Sequence, residues 1–404
     1  MGVMLKKLVQ QVSHMEMKLV AGEKGLTNEV NWMHMVDSEA VSEFLVGGEL
    51  VFTTGVGLNE RLSLFQLVQK IYKCGASGIV INIGPYISEI SEDIIAFANQ
   101  HGFPVFEVPW KVHMAEIMRI YSFAITKEEQ NELELSAAVS NAFRCPAQEE
   151  LYVSTLMQKG FLVDWKYDIG VVKINKAGKP IADYELGPIS SRLNSHLQFQ
   201  YSGVICCALE GRIALILANY SKEKRNEMLK EVFSYLRSTL KPGEEVLMCA
   251  GSSVSRLNAI HISYKQAEKM TALIANYELP GEIVSEGAAG EKHKLLFFED
   301  MGMMRLIITI TDRSALQEYV DDTVAPLYEY DRVHQGDIVK TMQSYLKHNG
   351  SVKEVAEEMI VHRNTVNYKI KKVEEILGKD MSEYEARFQI SLGFMALQIL
   401  KNVL

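Results

Sequence analysis

Ser351-Val-Lys-Glu-Val-Ala-Glu-Glu-Met-Ile-Val-His-Arg-Asn-Thr-Val-Asn-Tyr-Lys-Ile-Lys-Lys372 is the stretch on which the reading of this chain turns. Ser351 and Glu354 have the spacing of a capping box, in which the serine accepts from a first-turn amide and the glutamate reaches back. The helix they open is short and turns Val352, Val355, Ala356 and Met359 inward, with Ala356 small enough for a close helix crossing. Ile360-Val361-His362 is a tight connection. A second helix then runs from Arg363 to Leu377, with Val366, Ile370, Val373 and Leu377 on one face and Gly378 closing it. Ahead of both, Asp337 to His348 forms a helix with Ile338, Met342, Tyr345 and Leu346 apolar, stopped at Asn349-Gly350, where glycine suits the left-handed position. Two short helices joined by a tight turn, with a third in front, predict a helix-turn-helix.

The exposed side of the second helix supplies the candidate DNA-binding residues: Arg363, Asn364, Thr365, Asn367, Tyr368, Lys369, Lys371 and Lys372. From His362 to Lys372 there are four cations and no acid, in a chain whose 42 basic and 51 acidic residues leave a net charge of −9. A local basic face in an acidic protein is the footprint expected for DNA phosphates. Arg363 and Asn364 sit at the helix N-terminus, where base edges are reached; arginine pairs bidentately with guanine and asparagine with adenine. Lys369, Lys371 and Lys372 are better placed for phosphates. The competing interpretation is a solvated basic helix in a small bundle, and Ile360 stands where such turns usually carry glycine.

Outward from this stretch, 404 residues, 48% hydrophobic and 23% charged, are enough for two to four folded domains. The fold class expected is multidomain: an N-terminal α/β parallel-sheet domain (1–111), a helical connector (112–160), an α+β domain (161–298), a second connector (299–334) and an all-α helix-turn-helix domain (335–404). Glu49–Thr54, Gly78–Ile83 and Phe103–Val108 read as strands, separated by helical patterns over Leu62–Cys74 and Ile87–Ala98. In the middle domain, Tyr167–Ile174, Val204–Leu209, Ile213–Ala218 and Val246–Ala250 read as strands, the second and third forming a hairpin about Glu210-Gly211-Arg212. Lys222–Leu240 and Val254–Tyr277 read as helices. The final helix is expected to be capped by Ser382, with Glu385 three residues on, and to pack through Phe388, Leu392, Met395 and Ile399. No run approaches the roughly 18 apolar residues of a membrane helix. The polar start argues against a signal peptide, and Lys6 against myristoylation at Gly2. Five scattered cysteines without a Cys-x-x-Cys fit a reducing cytoplasm.

Tyr345-Leu-Lys-His-Asn-Gly-Ser-Val-Lys-Glu-Val-Ala356 and Val361-His-Arg-Asn-Thr-Val-Asn-Tyr-Lys-Ile370 resemble the C-terminal DNA-binding domain of PucR-like bacterial transcriptional regulators, with the His-Arg-Asn-Thr tetrad as the specific mark. That family also lacks the turn glycine. Val20–Leu26, Gly48–Gly55 and Phe103–Trp110 resemble its N-terminal sensory domain, and the middle region resembles its degenerate GGDEF-like, nucleotide-cyclase-like domain. The resemblance implies a regulator of a catabolic operon, in purine or amino-acid and nitrogen metabolism, whose upstream domains sense a small metabolite. The implied partners are double-stranded promoter DNA, a small-molecule effector and a second copy of the chain, with RNA polymerase a further candidate. A dimer joined through the middle domain and its flanking helices is expected. No cofactor is expected.

The rival is a nucleotide-handling enzyme of the cyclase-like fold with an accessory DNA-binding tail. Cyclase chemistry needs convergent carboxylates for metal at the hairpin. The chain offers Leu209-Glu-Gly-Arg-Ile213, with Arg212 where an acid belongs. Gly55-Val-Gly57-Leu-Asn-Glu60 is half a dinucleotide loop spoiled by Glu60. His34 and His113 lie near an expected sensory pocket, but single histidines are more often surface or core residues. Met301-Gly-Met-Met304 reads as flexible core filler rather than a metal site. The chain is therefore not expected to be an enzyme.

Overall fold

A computed structural model describes residues 2–59, 62–287 and 290–403, leaving aside the side chains of 39, 41 and 199. Glu60 of the expected glycine loop lies outside the described residues. The chain divides into two compact units, residues 1–139 and 140–404.

The first unit contains β1 (Val3–Met4), α1 (Leu5–Gln11), β2 (Lys18–Ala21), β3 (Glu29–Val30), β4 (Trp32–Met35), α2 (Glu39–Ser42), β5 (Glu49–Thr53), α3 (Leu64–Lys73), β6 (Gly78–Ile83), α4 (Glu92–His101), β7 (Val105–Pro109) and the first part of α5 (Met114–Arg144). Its five-stranded sheet has the order β2-β7-β6-β5-β4. The four strands β4 to β7 are parallel, as β-helix-β repetition demands, while β2 pairs antiparallel at the edge. Strands β5 and β6 are apolar on both faces because both are covered. Val51, Ile79 and Ile81 meet Leu67, Val68, Ile71 and Ile94 on one side. Leu50, Phe52 and Val80 meet Leu5, Leu8, Ile117, Tyr121 and Ile125 on the other. The start of α5, expected as connector, is thus core: Ile117, Tyr121 and Ile125 recur every four residues and close the open side of the sheet. Helix α4 starts later than its apolar spacing predicts, at Glu92 after Ser91, leaving Ile87 buried in the preceding loop.

The second unit continues with the last turns of α5, then α6 (Val153–Gln158), β8 (Tyr167–Lys176), β9 (Lys179–Pro180), α7 (Asp183–Gln200), β10 (Val204–Leu209), β11 (Arg212–Ala218), α8 (Lys222–Thr239), β12 (Glu244–Ala250), α9 (Ile260–Ile274), β13 (Ile283–Glu286) and β14 (Lys292–Phe297). The main sheet path is β10-β11-β8-β12-β14-β13, with β9 on β8. Helices α7 and α8 cover one face through Leu193, Leu197, Leu229 and Val232, packed on Val172, Leu215 and Met248. Helix α9 packs against β8 and β12. The β10–β11 turn is tighter than the expected three-residue gap. Leu209 pairs with Arg212, and Glu210 and Gly211 both have positive φ (48° and 74°), the pattern of a type I′ turn. Helix α9 is shorter than the Val254–Tyr277 pattern predicts, because a 3₁₀ turn at Leu257–Ala259 precedes it.

Seven helices finish the chain: α10 (Met304–Ile307), α11 (Arg313–Thr323), α12 (Ala325–His334), α13 (Ile338–Lys347), α14 (Val352–Met359), α15 (Arg363–Leu377) and α16 (Tyr384–Asn402). The segment 299–334, expected as connector, is largely helical, and α11 packs along α16. The two approach so closely that a Cβ on Gly393 would lie 2.3 Å from Thr323 Oγ1. That second contact rotates the buried face of α16. Ile390, Phe394, Ile399 and Leu400 are buried, whereas Phe388, Leu392 and Met395 of the expected stripe are only half-buried. Glu383, rather than Ser382, occupies the N-cap of α16; the Ser382 amide is taken by Asp380. Among the described residues, no helix is long and apolar enough to cross a membrane.

Candidate nucleic-acid interface

Helices α13, α14 and α15 pack mutually, and local chemistry sets each junction. Ser351 accepts from the Glu354 amide, as the capping spacing predicts. The Glu354 carboxylate, however, faces His348 Nδ1 at 3.2 Å instead of reaching back. Glu358 holds α14 to α13: it accepts from Lys347 Nζ at 2.6 Å, from Ser344 Oγ, and lies 3.1 Å from His348 Nε2. The Lys347 and Ser344 hydrogen bonds pull its carboxyl down to about 2. Ile360 takes the left-handed turn position, φ 57°, and is 92% exposed. Val361 N then donates to Ala356 O at 3.0 Å, which closes the turn.

His362 caps the next helix through Nδ1, which accepts from the Asn364 amide at 3.2 Å. Sequence reasoning missed this role because histidine is not a favoured N-cap; the only available signal was its place directly before the first helical residue. Gly378 ends α15 in the left-handed conformation. Val366, Ile370 and Val373 are buried. At about 100° per residue, Asn364, Tyr368 and Lys371 therefore point directly away from the core, flanked by Asn367 on one side and Thr365 and Lys372 on the other. Arg363, Asn364, Thr365, Asn367, Tyr368 and Lys371 are exposed.

The lysines are not equivalent. Lys369 is half-buried and paired with Asp337 Oδ1 at 2.5 Å, so it ties α15 to the start of α13 and is not brought to the outward face. Lys372 bonds Glu375 at 2.8 Å, which raises its ammonium above the usual range, and lies 5.8 Å from the Tyr330 ring centroid. Arg363 and Lys371 have no ion pair among the described residues, which leaves them as open charges. Elsewhere, His34 is half-buried on β4 and His113 is exposed. At the hairpin, Glu210 pairs with Arg144, and Arg212 with Glu268 at 3.0 Å. The hairpin's one carboxylate, Glu210, is therefore engaged by an arginine, and Arg212 by an acid of α9.

The sequence profile of the purine catabolism regulatory protein-like family matches residues 7–125, and that of the PucR C-terminal helix-turn-helix domain matches residues 338–396. The chain thus carries a PucR-type N-terminal domain and a PucR-type C-terminal helix-turn-helix. The second match covers α13, α14, α15 and most of α16. The proline-responsive transcriptional activator PutR of Bacillus subtilis (strain 168) is 21% identical over 355 residues, 85% of this chain and 77% of PutR. The purine catabolism regulatory protein of the same organism is 30% identical over 117 residues, 29% of this chain and 22% of that protein. The DNA-binding transcriptional activator AdeR, also of that organism, is 19% identical over 253 residues, 61% of this chain and 55% of AdeR. A chain that carries both is a transcriptional regulator with a helix-turn-helix, and its relatives are regulators rather than enzymes.

Proposed function

We propose that this PucR-family regulator acts in the cytoplasm on the promoter of a catabolic operon, in amino-acid, nitrogen or purine metabolism, and responds to a small metabolite bound by its upstream domains. The observation that carries the DNA reading is the outward face of α15, where Asn364, Tyr368 and Lys371 stand exposed with Arg363 at the helix N-terminus. In this reading Arg363 and Asn364 contact base edges, while Lys371, and Lys372 once released from Glu375, contact phosphates. Thr365 and Asn367 lie at the edges of the contact, and Lys369 positions the helix through Asp337. The middle domain, read as a degenerate GGDEF-like domain whose hairpin acid Glu210 is paired with Arg144, is structural, dimerising or ligand-sensing. A homodimer presents two recognition helices to two half-sites, and RNA polymerase contact follows at the promoter.

The test is fluorescence anisotropy on the chain's own upstream promoter DNA, at two salt concentrations, with a panel of amino acids and purine catabolites. Asn364→Ala is expected to cost about 1–3 kcal/mol on specific DNA and little on scrambled DNA. Lys371→Gln is expected to weaken both equally and lower the salt slope by about 0.9. Binding unchanged in both variants would place the interface elsewhere.

A further inference from the structure

Beside Arg212, the residue that stands where a cyclase would carry an acid, the second unit opens into a cleft of about 700 Å³, within the size range of small-molecule sites. It lies between α9, the segment after α10 and the end of α16. The described residues that line it include three cations, Arg212, Lys265 and Lys269, against one carboxylate, Glu268. That carboxylate is already engaged by Arg212 Nη1 at 3.0 Å. Arg212 also hydrogen-bonds Tyr264, but its Nε is buried without a hydrogen-bond partner, so one donor of the guanidinium is desolvated and unsatisfied. Lys265 and Lys269 lie four residues apart on one helix, a spacing at which like charges repel. Burial and then Lys265 pull the Lys269 ammonium below its usual range. Burial and then Arg212 do the same to Lys173. A half-buried excess of positive charge of this kind is compensated when an anion enters.

We propose that this cleft binds a small oxyanion, the carboxylate or phosphate group of a metabolite, held by Arg212, Lys265 and Lys269. The guanidinium supplies planar N–H donors, and the two ammonium groups of α9 supply further positive charge along the same cleft. Occupancy has a route to the DNA-binding helices. Lys269 Nζ donates to the Ile308 carbonyl at 3.0 Å, holding the segment after α10 against α9. Asn402, at the end of α16, accepts from Asn276 at 2.9 Å and donates to Tyr277 at 3.3 Å. An anion that recruits Lys269 competes with Ile308 and lies against both seams between α9 and the C-terminal helices. It thereby favours one arrangement of those helices over another. This consequence, unlike the binding itself, rests on the regulator reading above.

The experiment is isothermal titration of the full chain with inorganic phosphate and, separately, with succinate, at two chloride concentrations. Saturable binding of at least one probe is expected, weakened about tenfold by Arg212→Gln and by Lys269→Gln and weakened by chloride. The exposed Lys265→Gln is the variant to use where Arg212→Gln perturbs folding. Phosphate binding alone identifies a phosphorylated ligand, and succinate binding alone a carboxylate. No saturable heat from either probe overturns the proposal, as does binding that none of the three variants alters. Anisotropy of the same variants on promoter DNA, without probe, separates the two readings. Lost anion binding with DNA affinity retained supports the cleft and leaves the regulator reading intact. Lost DNA affinity with a smaller salt slope makes these cations DNA-phosphate contacts and overturns the cleft alone.

Discussion

At Ile360 the backbone adopts φ 57° and ψ 48°, a conformation in which a β-branched side chain crowds its own carbonyl. The side chain is 92% exposed, so its burial does not offset the strain. The turn is held instead by its neighbours, through the Val361 amide and the His362 cap. Ile360→Gly is expected to raise stability by about 0.5–1 kcal/mol, the relieved strain exceeding the extra freedom of the unfolded chain. A higher urea midpoint checks it; a lower one means the side chain has a partner in solution. Glu358 is the second instructive residue. Its carboxyl sits at about 2, below its ordinary 4.5, under the hydrogen bonds of Lys347 and Ser344. A folded-state value depressed in this way contributes stability above the ordinary value and loses it as pH falls from 4.5 towards 2. Glu358→Gln is therefore expected to flatten that part of the acid limb in urea midpoints measured against pH. A parallel curve would show that the interaction is absent in solution.

Elements of the second unit are joined by a buried ionic network. Arg225 on α8 is 2% exposed and donates to Asp168 Oδ1 on β8 at 2.9 Å and to Glu299, just beyond β14. Burial disfavours its charge, but the hydrogen bonds to Asp168 and Glu299 outweigh that and raise the guanidinium above its usual range. Burial raises the Glu299 carboxyl, but a backbone hydrogen bond at Glu299 and then Arg225 outweigh it and leave the group below its usual range. Removing the cation strands Asp168, which is 1% exposed and already has one oxygen without a partner. Arg225→Met is expected to cost about 3–5 kcal/mol, and adding Asp168→Leu to recover part of it. Additive losses in denaturant melts would show that the pair is not coupled. Helix α7 shows why some elements escape pattern reading. Gly187-Pro188 signals a turn, yet both lie inside the helix, which the sheet packs against through Leu186, Leu193 and Leu197.

One helix-turn-helix reads few base pairs, so two are expected on half-sites about one DNA turn, roughly 34 Å, apart. Sedimentation is expected to show a dimer, and a half-operator to lose about tenfold or more in affinity. A monomer with undiminished half-site affinity would refute the paired arrangement. No position in the α15 interface contributes to dimerisation in this account, so Asn364→Ala leaves the sedimentation profile unchanged.

The pattern of side chains along the chain by itself determined the α/β character of the first domain, the hairpin strands of the second and the three helices about Ile360, because periodicity records locally which face of an element is apolar. It also marked Asn364, Tyr368 and Lys371 as outward, since that follows from Val366, Ile370 and Val373 facing inward. Tertiary structure alone decided that Lys369 belongs to Asp337 and Lys372 to Glu375, that α11 turns the buried face of α16, and that Arg212 meets Lys265 and Lys269 around a cleft. A long charged side chain chooses its partner by proximity in space. A helix covered on a second side buries residues its first contact leaves out. Both depend on segments far apart in the chain, and local periodicity carries no record of them.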